Sequence, residues 1–199
     1  MAETNIANPA VVGLAGFGTT TLLLQFHNFG LCGSGVVFCC AMAFGGFAQL
    51  MAGLQEFKTG NNFGYCAFSA YGAFWIALGL IFLMLELQAQ GVIPDKGALH
   101  VTGGDLGWFL VAYTVLTFFL WIGSFAIHTA MVATFTTLIL GFIGLDLEKL
   151  AGMESIGFIT TVDLTLCALC AFYMMAHVIF LQVFGRDILP VGKPWVKKG

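Results

Sequence analysis

The chain has 199 residues, 59% of them apolar and only 9% charged, with a formal net charge of −3. Soluble domains carry roughly 25% charged residues, so seven basic and ten acidic side chains are too few to cover a water-facing surface of this size. That excludes a disordered tail and an ordinary cytosolic enzyme; so few Lys and Arg also leave no basic patch for a phosphate backbone, which excludes nucleic acid as a partner.

Long apolar gaps separate the charges. A bilayer core about 30 Å thick needs about 20 apolar residues per helix, and the gaps predict six spans in a single domain over residues 1–199. The first covers about 9–26, with Asn8-Pro9 as cap and first helical residue. The second covers 33–54 and the third 63–85. Leu106 to Leu145 is a run of 40 residues without a formal charge. That length is two crossings, 106–127 and 129–145, with a tight turn between Gly123 and His128. The sixth, 155–184, is about 45 Å long at 1.5 Å per residue, so it tilts or projects from the bilayer. Membrane strands need only about 9–11 residues of alternating polarity, whereas these runs are continuously apolar. The fold class is an all-α integral membrane protein, a bundle of six transmembrane helices surrounded by membrane lipid.

Placing the N-terminus in the cytoplasm puts Lys58, Arg186, Lys193, Lys197 and Lys198 on that side and Lys96 and Lys149 on the other. The bias predicts both termini cytoplasmic. No basic stretch precedes the first span, so a cleaved signal peptide is not expected. Only segments 88–105 and 146–154 between spans have any size, and neither holds a soluble domain. Gly46, Gly53 and Gly60 recur every seven residues, and Ala41/Gly45 and Ala73/Ala77 are small pairs four apart. Such residues let membrane helices approach closely. Packing within one bundle is their ordinary use, and a homo-oligomer face is the sharper reading.

Catalytic chemistry finds no constellation. Cys167-x-x-Cys170 has redox or metal spacing, but it lies inside a span where zinc would need two further ligands. The cysteines read as small buried hydrophobes. A membrane cytochrome would need paired His ligands on facing helices, and His27, His128 and His177 fall near span ends, where a His is commonly interfacial. The glycine-rich Gly13 to Gly18 stretch lacks a preceding strand and the dinucleotide-binding order. Neither an enzyme, a metal site nor a cofactor is predicted.

Polar groups inside spans carry more, because an intramembrane polar residue is a functional hypothesis by default. Gly13, Phe17, Thr20, Thr21, Leu24 and Asn28 share one face of the first helix by i, i+3, i+4 spacing. Gln49 and Glu56 lie two turns apart on the second, and Thr134, Leu138 and Gly141 align on the fifth. Asp163 is the acid placed well inside a span, or else near the watery start of a long helix. Glu56, Asp163 and His27 are the candidates for a proton-handling or polar role. No Lys or Arg lies inside a span, so nothing offsets the desolvation of a multiply charged anion. Hydroxyls and amides can still hydrogen-bond a small carboxylate. The pattern favours a narrow path for a small solute of one charge or none, with an apolar constriction.

The stretch Asn8-Pro9-Ala10-Val11-Val12-Gly13-Leu14-Ala15-Gly16-Phe17-Gly18, continuing to His27-Asn28, resembles the N-terminal signature of the acetate uptake transporter family. The segments from Phe44 to Gln49, Ala52 to Gly64, Ala67 to Trp75 and Phe184 to Gly192 carry the same likeness. The resemblance implies six helices, a homohexamer with one path per protomer, and proton-linked passage of acetate and related short monocarboxylates, succinate among the acids to consider, across the cytoplasmic membrane. It implies an apolar constriction of Phe17, Tyr71 and Leu138. It also puts Asn8, Thr20 and Gln49 among the path-lining polar residues, beside Thr21 and Thr134 from the helix faces. Two features depart from the family's pattern. Val11 replaces the second proline of the signature, and Asp163 has no counterpart. The alternative is a channel for a small neutral amide such as urea. Water or glycerol conduction is discounted, because a second Asn-Pro-Ala is absent. A sensory or structural role is disfavoured by loops too short to hold a partner.

Overall fold

The computed structural model describes residues 7–94 and 96–197; Lys198, counted above for orientation, lies outside them. Seven α-helices make six spans: α1 Ala10–Asn28, α2 Ser34–Met42, α3 Gln49–Thr59, α4 Asn62–Ala89, α5 Gly103–Ser124, α6 Thr129–Ala151 and α7 Gly157–Phe184. A π-helical segment, Ala43–Ala48, joins α2 to α3 into one continuous span. Each of the six is long and apolar enough to cross a membrane. Two ends therefore emerge on the same side of the bundle, where α3 meets α4 and α5 meets α6.

Where each helix stops follows from local capping. Asn8 Oδ1 accepts from the Ala10 amide at 2.9 Å, and Pro9 already has helical dihedrals, so the first helix starts as its Asn-Pro pair dictates. Asn61 caps α4 by accepting from the Gly64 amide. Thr102 and Asp105 form a reciprocal capping box that starts α5 at Gly103, three residues before the charge-free run begins. Gly60, Gly152 and Gly185 end α3, α6 and α7 in the left-handed conformation that glycine adopts freely.

Three helices run past their expected C-terminal ends, for one reason. A charged residue was taken to mark the membrane surface. In the structure Glu56 lies inside α3 and is buried, with Asn61 Nδ2 donating to its Oε2 at 2.9 Å and Thr59 Oγ1 donating to its backbone carbonyl at 2.8 Å. The second span therefore runs to Thr59 rather than 54. Asp146 likewise sits within α6, 2.6 Å from Thr114 Oγ1 of α5, and that helix continues to Ala151 rather than 145. The third span carries Glu86 and ends at Ala89 rather than 85. Conversely α5 stops at Ser124, short of 127, and a turn over 125–128 returns the chain into α6.

The π segment is where α1 comes closest to its neighbours. A side chain at Gly16 would meet the Phe44 carbonyl oxygen at 2.6 Å, and Gly45 packs directly on Thr20. One widened turn shifts the phase of everything after it. It thereby sets which way Gln49, the first residue of α3, faces. Gly53 and Gly72 bring α3 and α4 together in the same way, against Ser69 and Leu50.

His128 opens α6, its Nδ1 accepting from the Met131 amide at 3.1 Å, which requires that nitrogen unprotonated. Burial, reinforced by nearby His177, holds this imidazole below its ordinary value of 6.5. The unfolded chain therefore takes up the proton first as pH falls. The His128 contribution is complete above about pH 6.5 and is lost as pH falls through the lower folded value. The melting temperature in detergent should drop between about pH 7.5 and about pH 5.5. His128→Asn, which caps without titrating, should flatten that slope; an unaltered slope would refute the capping account.

Candidate functional site

Three helices present one stripe each to a common space. Ala10, Leu14 and Phe17 fall at i, i+4, i+7 on α1; Gly64, Ala67 or Phe68, and Tyr71 do so on α4; Met131, Phe135 and Leu138 do so on α6. Together with Gln49 of α3 they line a cavity of about 840 Å³, whose outer end is bordered by Ala126, Ile127 and the residues after α7. Seven residues of helix rise about 10 Å, so all three stripes reach Phe17, Tyr71 and Leu138 at a similar depth. The stripes then continue. Thr21 and Leu24 of α1, Phe74 and Trp75 of α4, and Phe142 and Leu145 of α6 line a second void of about 30 Å³, with Gln25 and Leu164 completing its wall. Phe17, Tyr71 and Leu138 border both spaces and separate them.

The partition is held by specific contacts. The Phe17 and Tyr71 rings lie 5.8 Å apart, tilted by 58°, and Phe135 braces Tyr71 from the outer side at 6.4 Å. Phe63 in turn meets Phe135 edge to face at 5.3 Å. Thr117 Oγ1 donates to the Tyr113 carbonyl at 2.6 Å. Its single proton is thus used, and it is Tyr71 that donates in the 2.8 Å contact between the two hydroxyls. The phenol is thereby tied back to α5, and its ring rather than its hydroxyl borders the space. Leu138 is buried on α6 opposite.

The polar groups divide by position. Gln49 is fully buried, lines the larger cavity, and neither atom of its amide has a protein partner. Thr21 borders the smaller void with its hydroxyl unpartnered, as does the Trp75 ring nitrogen. Glu56 stands behind Asn61, which lines the cavity near its mouth, and its Oε1 is unpartnered. The other predicted residues lie elsewhere. Asn8 is exposed and caps α1. Thr20 turns to Cys40 Sγ at 3.2 Å and packs on Gly45. Thr134 donates to the Ala130 carbonyl and faces Met174 and Cys167 of α7. His27 lies at the other end of α1, 3.0 Å from the Cys32 carbonyl. Asp163 is half-buried on α7 beside Gly141, apart from the residues that line either space.

Sequence reading missed Phe63, Phe135 and Asn61, although the i, i+4, i+7 stripe that ends on each partition residue would have found Phe135. It also missed Lys193 and Lys197, which line the outer cavity and register in the sequence only as charges beyond the last span.

Six apolar spans around such a space define a multi-pass membrane protein built to hold or pass a small solute. Residues 1–183 match the GPR1/FUN34/YaaH family, and the chain belongs to that family. It is 35% identical over 194 residues to the succinate-acetate/proton symporter SatP of Escherichia coli K12, covering 97% of this chain and 99% of that protein. It is 33% identical over 149 residues to ammonia transport outward protein 2 of Saccharomyces cerevisiae, 73% of this chain and 52% of that one. Among solved structures it is similar to that of the bacterial acetate channel SatP, with a TM-score of 0.85, 34% identity, and 94% of this chain and 100% of that one covered.

An amide buried without a protein partner is a liability of about 1–3 kcal/mol to the fold. Gln49→Leu removes it at similar volume. The variant should melt in detergent at the same temperature as the parent or higher. A drop of several degrees would assign the amide a structural role instead.

Proposed function

We propose that the chain carries acetate and related short monocarboxylates across the cell membrane, along the axis marked by the three stripes, with proton linkage. The observation that carries this reading is the convergence of those stripes on Phe17, Tyr71 and Leu138, with a two-faced amide at Gln49 on the outer side and the Thr21 hydroxyl on the inner side. An amide N–H and a hydroxyl can each donate to a carboxylate. An apolar neck free of fixed cations then admits only small solutes of minimal charge. The symporter and the acetate channel to which the chain is similar support the choice of solute. In this reading the termini face the cytoplasm and the cavity is the cytoplasmic vestibule. Glu56, one hydrogen bond behind the vestibule-lining Asn61, is the carboxylate assigned to handle a proton. Exposed apolar side chains such as Phe119, Phe158 and Ile159 meet lipid and neighbouring copies in a homohexamer.

A neutral small solute is the second reading. The same neck, holding no cation, would pass urea at least as readily.

Labelled acetate uptake into proteoliposomes, with labelled urea in parallel, separates the two. Acetate flux should depend on protein and rise when the outside is made acidic at clamped voltage. Urea flux without acetate flux would overturn the proposal, and acetate flux that follows voltage but ignores pH would replace symport by plain anion conduction. Leu138→Ala should let succinate through faster relative to acetate. An unchanged ratio would remove Leu138 from the neck. Gln49→Leu should slow acetate by about tenfold, the loss of one hydrogen bond to a charged group.

A further inference from the structure

The residues after α7 do not trail away from the bundle. They fold back as a strap over the α5–α6 turn. Tyr173 of α7 donates to the Pro190 carbonyl at 2.9 Å, and His177 Nδ1 lies 2.7 Å from the Leu189 carbonyl. The Ala130 amide donates to the Val191 carbonyl at 2.9 Å. Gly192, at φ +82, passes so close to Thr129 that a Cβ there would be 2.6 Å from its Oγ1. Thr129 Oγ1 donates to the Lys193 carbonyl at 3.1 Å. The amides of Trp195 and Val196 both donate to the Phe125 carbonyl, at 2.8 and 3.0 Å. The Trp195 ring stacks on Phe125, centroids 5.8 Å apart and planes within 6°. Contacts with α7, α6 and the α5–α6 turn thus fix this strap.

Its consequence is electrostatic. Lys193 and Lys197 are exposed and line the mouth of the 840 Å³ cavity. Among the described residues, neither ammonium lies within salt-bridge distance of a carboxylate. Two described carboxylates share this end of the bundle. Glu56 is buried and its carboxylate accepts from Asn61, and Asp187 of the strap sits 3.2 Å from His177 Nδ1. Lys58 and Arg186 belong to the same end of the bundle. This mouth is the positive end of a chain whose formal net charge is −3.

We propose that the strap is an anion collector. Lys193 and Lys197 raise the local concentration of carboxylate anions at the cavity mouth and so favour charged acids over neutral solutes of the same size. This rests on the carboxylate reading above. It assigns selection by charge to the mouth and selection by size to the neck. Charges at a cleft lined by low-dielectric walls act on approach, so they govern capture rather than passage. Their influence spans about 30 Å at 10 mM ionic strength and only about 5 Å at 300 mM.

The test uses the full chain in proteoliposomes. With acetate presented on the strap side, Lys193→Gln/Lys197→Gln should raise its KM about threefold at 10 mM salt, leave the maximal rate unchanged, and converge with the parent at 300 mM. Urea or acetamide flux should not change, and Lys193→Arg/Lys197→Arg should behave as the parent. Lys149→Gln, whose partner Glu148 lies at the other end of the bundle, should leave acetate capture as it was. A parent and double variant with the same KM at low salt, or an equal loss for acetamide, would overturn the proposal.

A second readout does not depend on transport. Trp195 is exposed beside both lysines. In a Trp108→Phe background, which removes the other strongly exposed indole, iodide should quench fluorescence more strongly in the parent than in the double Gln variant. Neutral acrylamide should quench both alike. If the parent carries no acetate but the iodide difference is present, the carboxylate reading fails and the collector stands. If acetate flows and the iodide difference is absent, the collector fails alone.

Discussion

The structure depends on one constraint: inside a bilayer every polar group must find its partner within the protein. Most threonine hydroxyls meet it locally. Thr114, Thr117, Thr134, Thr160, Thr161 and Thr165 each donate to a carbonyl four residues back. Glu56 and Asp146 meet it with one carboxylate oxygen each, through Asn61 and through a Thr114 proton shared with the Leu110 carbonyl, and leave the other oxygen without a protein partner. Of the buried side chains that leave a polar atom unpartnered, Gln49, Thr21 and Trp75 border the two enclosed spaces, whereas Glu56, Ser69, His100, Asp146 and Asp163 do not. A buried donor or acceptor without a protein partner costs free energy unless a solute or solvent supplies the bond. For the three at a cavity wall, a solute or solvent can supply it.

The neck between the spaces is built on the same economy. Tyr71 could have offered its hydroxyl to the path, yet Thr117 withdraws it and leaves a ring face. A hydroxyl there would have given every polar solute a foothold. An aromatic edge gives none, so a charge at the neck must shed most of its hydration. Phe135 and Phe63 back the ring in sequence, and a side chain packed from behind cannot swing to widen the opening. Burial of the phenol fits this account, since Tyr71 is 3% exposed while lining both spaces.

Much of this was legible in the sequence, and the parts that were not share a cause. Apolar run length fixed six spans, and the Asn8-Pro9 and Gly60 signals sat where helices begin and end. The Phe17 and Leu138 faces came from helical spacing and from resemblance. Boundaries failed at Glu56 and Asp146, because a charge was read as a mark of water when each had a hydrogen-bond partner that only tertiary structure reveals. The π segment has no signature of its own. Gly45 and Gly46 announce close packing, but not that a turn widens to permit it. Thr20 and Thr134 share faces with path residues, yet a face about 100° wide can point one edge at the cavity and the other at a neighbouring helix. Two threonines accordingly went to Cys40 and Met174. Lys193 and Lys197 were beyond reach altogether, because nothing in a terminal Lys-Pro-Trp-Val-Lys run states that it doubles back over the α5–α6 turn.

Those two lysines change how charge selection should be understood. A cation placed at the neck would hold an anion there, and a deep well is as effective a barrier as a hill, since a solute must leave as well as enter. Moving the positive charge out to the rim, in solvent, avoids that trap: attraction acts over the approach and fades where desolvation begins. On the proposed route the anion next meets Gln49, whose neutral amide can donate without binding tightly. Attraction, then a weak polar contact, then an apolar constriction, form a graded series along one axis. A dicarboxylate gains more at the rim but loses far more at the neck, because the solvation penalty of an ion grows as the square of its charge while a rim attraction grows only in proportion. The proposed arrangement would therefore favour one negative charge over two without any group that recognises the difference directly.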